Sequence, residues 1–478
     1  MSKVLIKNTS IYIINSFCTQ GLTFLLWIIL AQWLPPFQIG QYALIMFIVE
    51  FFSALAIFGL DSAVTRFYYT KESISSILSN TLFIFLASSL LSLTLFSFLI
   101  KLIPFVITGL SDILERRFFL LSTIIFINSL VSLVFVHYSA LRKAGMYTGF
   151  QLLRALCFSF FSLLLVYMGL GILGVFYAFL FSSMLIVGLF LISEKKTISL
   201  SFVSSQTIKN LTSYSFPLML YSSFGVLALY FSRILLNKYT DLASMGIYSF
   251  FLTLTLQING MWSSFNRAWT PEVFLKFLQG EKEKVLRNIK LLGVVSSLGY
   301  LLILSIFVIA GQMFLFDILF KPEYLSKINL FLIILLGPLF TSIYTVAYPL
   351  YYENEKKTHL IFLTSFINSI LTILLNLFFV SYFKETGAAL AFFIIYLLTN
   401  LTYFFVFKKT IDIPWELIKW SIILSLIMML NVAIFLILNS HLIFVLINLT
   451  TILIGYRIIE GEIKDLSFVL SIKRFINK

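Results

Sequence analysis

The sequence predicts an all-α integral membrane protein of about 14 transmembrane helices, built as two pseudo-symmetric six-helix lobes followed by two C-terminal helices. Three observations predict it. Of the 478 residues 60% are hydrophobic and only 11% charged, with mean hydropathy +1.02, whereas soluble domains carry about 25% charged residues. Apolar runs recur from end to end, each of about 20 residues and so able to cross about 30 Å of hydrocarbon as a helix. The basic residues between the runs alternate in density, as they do in loops on opposite sides of a membrane.

The runs cover residues 11–34, 42–60, 77–103, 118–141, 147–168, 172–192, 211–236, 245–265, 289–310, 328–351, 360–380, 388–407, 415–438 and 442–459. The first follows a short basic cap at Lys3 and Lys7; it is longer than a signal-peptide core and lacks a small-residue cleavage site, so it reads as a retained helix. With the N-terminus in the cytoplasm, Lys and Arg favour the inner loops over the outer ones by about three to one. An even number of spans then puts both termini inside. The formal charge of +14 is explained by this topology, since no continuous basic face for nucleic acid forms. Cys18 and Cys157 each sit inside an apolar run and read as packing residues, which excludes a disulfide framework or a zinc site.

Glu50 lies near the middle of the second run, "YALIMFIVEFFSALAIFGLD". A charge at that depth costs roughly 2.5 to 3.5 kcal/mol on insertion scales, so it faces protein or water in preference to lipid. Its short stem keeps it from either interface. Two readings follow: a hydrogen-bonded glutamate between helices, or an acid of a polar cavity that pairs with an arginine or titrates during transport. Asp61 closes the same span and reads as a helix-end residue or a second coupling or ion-pairing acid. Arg154 lies seven residues into the fifth span, about 10 Å deep by helical rise, where it either faces a cavity or snorkels to the interface. Arg233 sits near the outer end of the seventh span, whose Pro217 is positioned to kink it. Arg66 and Arg267 follow the second and eighth spans and read as topological anchors or substrate contacts. Gln257 and Asn259 bring amides to the middle of the eighth span, for helix-to-helix hydrogen bonds or for sugar hydroxyls. The stretch "PEVFLKFLQGEKEKVLRNIK" (271–290) has the aromatic and basic mix of a helix lying on the inner leaflet. His137, His359 and His441 stand near span ends without metal-ligand spacing and read as interfacial residues. No catalytic or metal constellation is evident.

An internal repeat divides the chain. "LAQWLPPFQIGQYALI" (30–45) lies over "LNKYTDLASMGIYSFF" (236–251), matching Gly40 to Gly246 and Tyr42 to Tyr248; "GVFYAFLF" (174–181) lies over "GAALAFFI" (387–394). Basic pairs follow spans four and ten alike, as Arg142-Lys143 and Lys356-Lys357. Their shared order implies an N-terminal lobe at 1–208, a C-terminal lobe at 209–410, and a segment 411–478 holding spans 13 and 14 with a cytoplasmic tail.

On "NTSIYIINSFCTQGLTFLLWIILAQWLPPFQIGQYALI", "GLDSAVTRFYY", "YFSRILLNKYTDLASMGIYSFFLTL" and "WTPEVFLKFLQGEKEK", the chain resembles the polysaccharide-transport branch of the multidrug/oligosaccharidyl-lipid/polysaccharide exporter superfamily, specifically Wzx-type O-antigen flippases. The resemblance implies a two-lobed transporter alternating between inward-open and outward-open states in the bacterial inner membrane, and no enzyme activity. Its substrate would be an undecaprenyl-diphosphate-linked oligosaccharide; a polysaccharide polymerase would be its partner. Members of this family often carry Asp-Arg in the seventh span, where this chain has Ser232-Arg233.

A diphosphate head calls for planar, doubly donating guanidinium groups, which makes Arg154, Arg233, Arg267 and Arg66, with Gln257 and Asn259, the substrate-binding candidates and Glu50 and Asp61 the coupling candidates. The coupling cation is H+ or Na+, and no other cofactor is called for. A multidrug antiporter of the same superfamily is the nearest alternative, although those usually have twelve spans. A membrane polymerase or ligase fits less well, because the longest outer loops, 104–117 and 311–327, leave little room for a catalytic ectodomain. The topology has a direct check: in a chain freed of Cys18 and Cys157, a cysteine at position 143 should react with impermeant thiol reagents only from the cytoplasmic side, and one at position 101 only from the opposite side.

Overall fold

The computed structural model describes residues 3–68, 73–102, 110–141, 143–195, 197–199, 202–278, 280–347, 358–407 and 415–463. Among them the secondary structure is helical throughout. The helices are α1 (Lys3–Trp33), α2 (Pro36–Ile57), α3 (Leu60–Phe67), α4 (Ile74–Leu99), α5 (Ser111–Arg116), α6 (Phe118–Ala140), α7 (Ala144–Leu165), α8 (Gly171–Ser193) and α9 (Ser205–Tyr239). They continue as α10 (Leu242–Leu278), α11 (Lys282–Ala310), α12 (Phe316–Leu319), α13 (Pro322–Leu325), α14 (Ile328–Leu335), α15 (Gly337–Ala347), α16 (Thr358–Phe407), α17 (Trp415–Leu438) and α18 (His441–Ile463).

Ten of the described helical stretches are long and apolar enough to cross a membrane. Two of them hold a pair of spans each. The stretch 144–193 turns where Gly169 and Gly171 take φ of 87° and 54°, angles that an L side chain resists. Helix α16 breaks at Lys384 (φ 49°, ψ −126°), and Gly387 then passes so close to the Phe379 carbonyl that a Cβ would overlap it. With the shorter apolar helices at 328–343 and 441–457, the spans reach the expected fourteen. The chain is a multi-pass membrane protein.

Three expectations change. Helix α9 runs through Pro217 without interruption. The stretch 271–290 is no separate surface helix: its halves extend α10 and α11, and the chain breaks at Gly280, with φ 76°. Cys18 is exposed instead of packed, while Cys157 is half-buried.

By their contacts the residues form two compact units, Met1–Ser264 with Ser365–Ala391, and Phe265–Thr364 with Phe392–Lys478. In the first, α2 packs between α4, α6 and α9, and α7 lies along α1 and α8. Its core joins Ala56, Leu60, Phe85, Val131 and Leu211. Between apolar helices in lipid the hydrophobic effect gives little drive, so small residues and interhelical hydrogen bonds do the joining. Ser88 donates to the Ala56 carbonyl (2.6 Å) and Ser92 to that of Phe52 (2.7 Å), tying α4 to α2.

The second unit uses the same device. Helix α11 is flanked by α15, α17 and α18; the Trp420 indole donates to Ser297 (2.8 Å), and Asn431 donates to Asn448 (2.9 Å). Apolar side chains such as Phe119 and Ile437 remain 83% and 80% exposed, which a lipid boundary tolerates and water would not.

Within the first unit, α2 and α10 meet through the two glycines that the repeat aligns. A Cβ on Gly40 would collide with the Leu242 carbonyl, and one on Gly246 with the Pro36 carbonyl. The alignment that pairs Gly40 with Gly246 also pairs Pro36 with Leu242, so the contact is reciprocal. Gly40→Val and Gly246→Val should each lower stability by about 1 to 3 kcal/mol through overpacking, read as a fall in unfolding temperature in detergent. Gly145→Val, where an added Cβ meets nothing within 4 Å, should leave that temperature nearly unchanged.

Candidate functional site

The first unit holds Glu50, Arg154 and Arg233, each inside a helix long and apolar enough to cross a membrane. Glu50 projects from the middle of α2 and is half-buried, and Arg154 of α7 is the charged group whose field reaches it. The pair does not close to ion-pair distance; among the described residues, the protein hydrogen bond of Arg154 is from Nη2 to Asn128 Oδ1 of α6, at 3.4 Å. Asn128 in turn donates to Ser53 Oγ of α2, one helical turn from Glu50, at 3.3 Å. The guanidinium also lies 4.9 Å from the ring centre of Phe179 on α8, where the aromatic face offsets part of its lost hydration.

Arg154 opens into a pocket of about 230 Å³. Thr19, Gln20 and Thr23 of α1 line it from one side, and Gln151 and Arg154 of α7, with Phe179, line it from the other. These positions follow from helical geometry. Residues 19 and 23, like 151 and 154, are spaced one turn apart and share a face. The spare hydrogen-bonding capacity of the walls is organised. Gln151 Oε1 accepts from Asn15 Nδ2 (2.9 Å), and its Nε2 donates to the Tyr147 hydroxyl (2.9 Å). The two threonine hydroxyls donate to backbone carbonyls one turn back, at 2.9 Å each, which leaves their oxygen lone pairs free to accept.

Arg233 of α9 is 3% exposed and stacks 4.3 Å from the ring centre of Tyr230. Its Nε and Nη1 have no hydrogen-bond acceptor among the described residues. The residue before it, Ser232, accepts from the Tyr248 hydroxyl (3.3 Å) and supplies no negative charge. Buried charges normally come paired; Arg233 is an exception. Tyr42 stands on α2 in the neighbourhood of both arginines without touching either. Its ring is wedged between Trp27 and Phe176, at 4.7 and 5.3 Å, and it lies within the electrostatic reach of Glu50, Arg154, Arg233 and Tyr230 together.

The other sequence candidates are dispersed. Arg66 is exposed at the end of α3, its guanidinium 4.7 Å from the ring centre of Tyr214. Asp61 is exposed in the first turn of α3, beyond the left-handed residues Phe58 and Gly59, and makes no ion pair among the described residues. Gln257 and Asn259 are half-buried on α10, and Gly260 beside them packs closely on Gln20, a pocket residue. Arg267 follows on the same helix, where its side chain is outside the described residues. His137, three residues from the end of α6, is buried within the protein at 1% exposure. His441 bonds Asn329 and Gln312 at the start of α18, and the side chain of His359 is outside the described residues.

Sequence reasoning missed Asn15, Gln20, Asn128, Gln151 and Tyr42, all uncharged. Their signal was present, as polar residues inside apolar runs spaced three or four apart from one another or from a charge, "TQGLT" and "QLLR" among them.

Comparison with solved structures finds the same fold in "Lipid II flippase MurJ, inward closed conformation", with TM-score 0.66 and 17% identity over 93% of this chain and 98% of that one. It is similar also to "Inward-facing conformation of a multidrug resistance MATE family transporter of the MOP superfamily" (TM-score 0.59, 16% identity, 82% and 94% covered). A third, "Crystal structure of MATE in the straight conformation", has TM-score 0.56 and 15% identity over 86% and 96%. No curated protein sequence matches. The sequence pattern of one family, described as "Polysaccharide biosynthesis protein", covers residues 5–277. That match spans more than half of the chain, including every described residue of the Arg154 pocket, and the chain therefore belongs to the polysaccharide biosynthesis protein family.

Proposed function

We propose that this protein is a flippase that carries an undecaprenyl-diphosphate-linked oligosaccharide across the bacterial inner membrane by alternating access, for assembly of O-antigen or of a capsular or extracellular polysaccharide. The observation that carries the proposal is the polar pocket of Arg154, lined by amides and hydroxyls, in the same unit as a buried Arg233 with unmet N–H donors. Family membership and the fold shared with a lipid II flippase support it. The chemistry is that of a two-part ligand. Guanidinium groups can donate in pairs to phosphate oxygens, and a buried arginine with two N–H groups lacking an acceptor, as Arg233 has, gains most from an arriving anion, because its desolvation has already been incurred. The amides of Gln20 and Gln151 and the hydroxyls of Thr19 and Thr23 offer donors and acceptors to sugar hydroxyls, while the lipid tail stays in the bilayer. No bond is made or broken, so the protein acts as a transporter and not as an enzyme.

In this reading Glu50 is the acid nearest in charge to Arg154 without closing an ion pair on it, and is one group through which an H+ or Na+ gradient could be used. Arg66, Arg267, Gln257, Asn259 and Asp61 are secondary candidates along the path. The basic inner loops set both termini in the cytoplasm, and the polymerase machinery of the opposite face would receive the flipped unit. The shared fold with multidrug transporters supports a second reading, export of amphiphilic cations, in which Glu50 rather than the arginines would meet the substrate.

The two readings separate on substitution. Arg154→Ala and Arg233→Ala should each reduce surface polysaccharide about tenfold or more, given about 1.5 to 3 kcal/mol for a hydrogen bond to a charged group, with lipid-linked units accumulating on the cytoplasmic leaflet. Normal polysaccharide in both variants, together with a rise in drug susceptibility in Glu50→Gln, would replace the flippase with the exporter.

A further inference from the structure

A second buried ionisable cluster lies apart from the Arg154 pocket, where α3, α6 and α8 end. Tyr68, His137 and Glu194 are 9%, 1% and 7% exposed. The Tyr68 hydroxyl is 2.6 Å from His137 Nδ1. On the other side of the ring, Nε2 faces Glu194 Oε1 at 3.5 Å, and Lys143 Nζ approaches the same oxygen at 4.0 Å from a half-exposed position. Thr197 Oγ1 donates to the second carboxylate oxygen at 2.9 Å. The rings of Tyr138 and Phe190 close edge-on over the imidazole, at 5.1 and 5.6 Å, and the Tyr138 hydroxyl is engaged with Ser193 Oγ at 2.7 Å.

The geometry fixes how this site responds to a proton. A carboxylate facing Nε2 requires a hydrogen on that nitrogen, so in the neutral ring Nδ1 is the acceptor and the Tyr68 hydroxyl donates to it. A proton arriving from water past Lys143 adds to Nδ1, and the product is an imidazolium. Tyr68 then needs only to rotate its hydroxyl from donor to acceptor. The Tyr68–His137 bond survives in both states, and the new positive charge strengthens the attraction between Nε2–H and Glu194, which lies 3.5 Å away and outside full hydrogen-bond contact. An assembly of this kind stores a proton without rearranging its heavy atoms. Histidine is the side chain whose ordinary titration falls in the physiological range.

The cluster is connected to the pocket through two elements. Helix α6 carries both His137 and Asn128, the acceptor for Arg154, nine residues and about 13 Å apart by helical rise. Tyr68 ends α3, which follows directly on α2, the helix of Glu50. We propose that Tyr68, His137 and Glu194 form a proton-binding site, on the side of the basic loops, whose occupancy is coupled to movement of substrate through the Arg154 pocket; the coupling rests on the transport reading above, the proton site does not.

The chain has three histidines, so histidine-selective isotope labelling in lipid nanodiscs gives a spectrum in which His137 is assigned by its loss in His137→Gln. Its ring signals should titrate reversibly within the pH range over which the protein stays folded. Glu194→Gln should lower its proton affinity about tenfold, one unit of pH, and Tyr68→Phe should alter the Nδ1 signal while leaving the fold intact. An imidazole that does not titrate in this range, or whose titration ignores Glu194→Gln, overturns the site. For the coupling, polysaccharide export should collapse on dissipation of the pH gradient in the native chain, and export in His137→Gln should become insensitive to it. Native export unaffected by an uncoupler overturns the coupling. Arg154→Ala should stop export yet leave the His137 titration in place. A native chain that exports no lipid-linked sugar while His137 still titrates would strike the transport reading and uphold the proton site.

Discussion

Charge inside a bilayer has to be answered by other groups of the protein, and that constraint organises the first unit of this molecule. Glu50, Arg154 and Arg233 cannot be solvated by lipid. The helices that carry them accordingly belong to one unit, and polar residues of neighbouring helices face inward to meet them. The answer is incomplete by design of the sequence: Arg154 holds an amide oxygen at 3.4 Å instead of a carboxylate, and Arg233 has a tyrosine face in place of an acid. A fully neutralised trio would be a structural tie. An under-neutralised one has binding capacity left for an anion.

Polar side chains serve two purposes in this chain, and their geometry separates them. Ser88, Ser92, Trp420 and Asn431 each find a partner across a helix interface and are buried with it; they hold helices together where lipid gives no hydrophobic drive. Gln20, Thr19 and Thr23 instead face a pocket, and Gln151 does both, bonding Asn15 of α1 while lining it. The difference lies in whether the facing side chain reaches contact at that level.

That distinction also sets what the sequence could convey. Span number was legible because hydrophobic length is a one-dimensional property, although helices such as α10 and α11 run on past their apolar runs into the polar stretch 271–290. Glu50 and Arg154 were legible because charge within a run is costly enough to demand a reason. Asn15, Asn128 and Tyr42 were not, since an amide or phenol is tolerated by either lipid-bilayer packing or a binding site, and only the crossing of helices decides between them. The surroundings of His137 were hidden for a related cause: its place near a span end is visible in the sequence, but the ends of α3 and α8 bring Glu194, far away in sequence, to its ring. Pro217 is the opposite case, a local signal that the surrounding helix absorbs.

The approach of α2 to α10 carries a consequence of a different kind. Gly40 limits what can stand at Leu242, and Gly246 limits what can stand at Pro36, so each backbone sets the size ceiling for its counterpart. In a pair of identical half-length chains one glycine would occupy both sides of such an isologous contact. Within a single fused chain the two positions remain bound by the same geometry, and neither can gain volume unless the opposite backbone recedes: their evolutionary freedom is shared, and substitutions at the two sites should show epistasis rather than add.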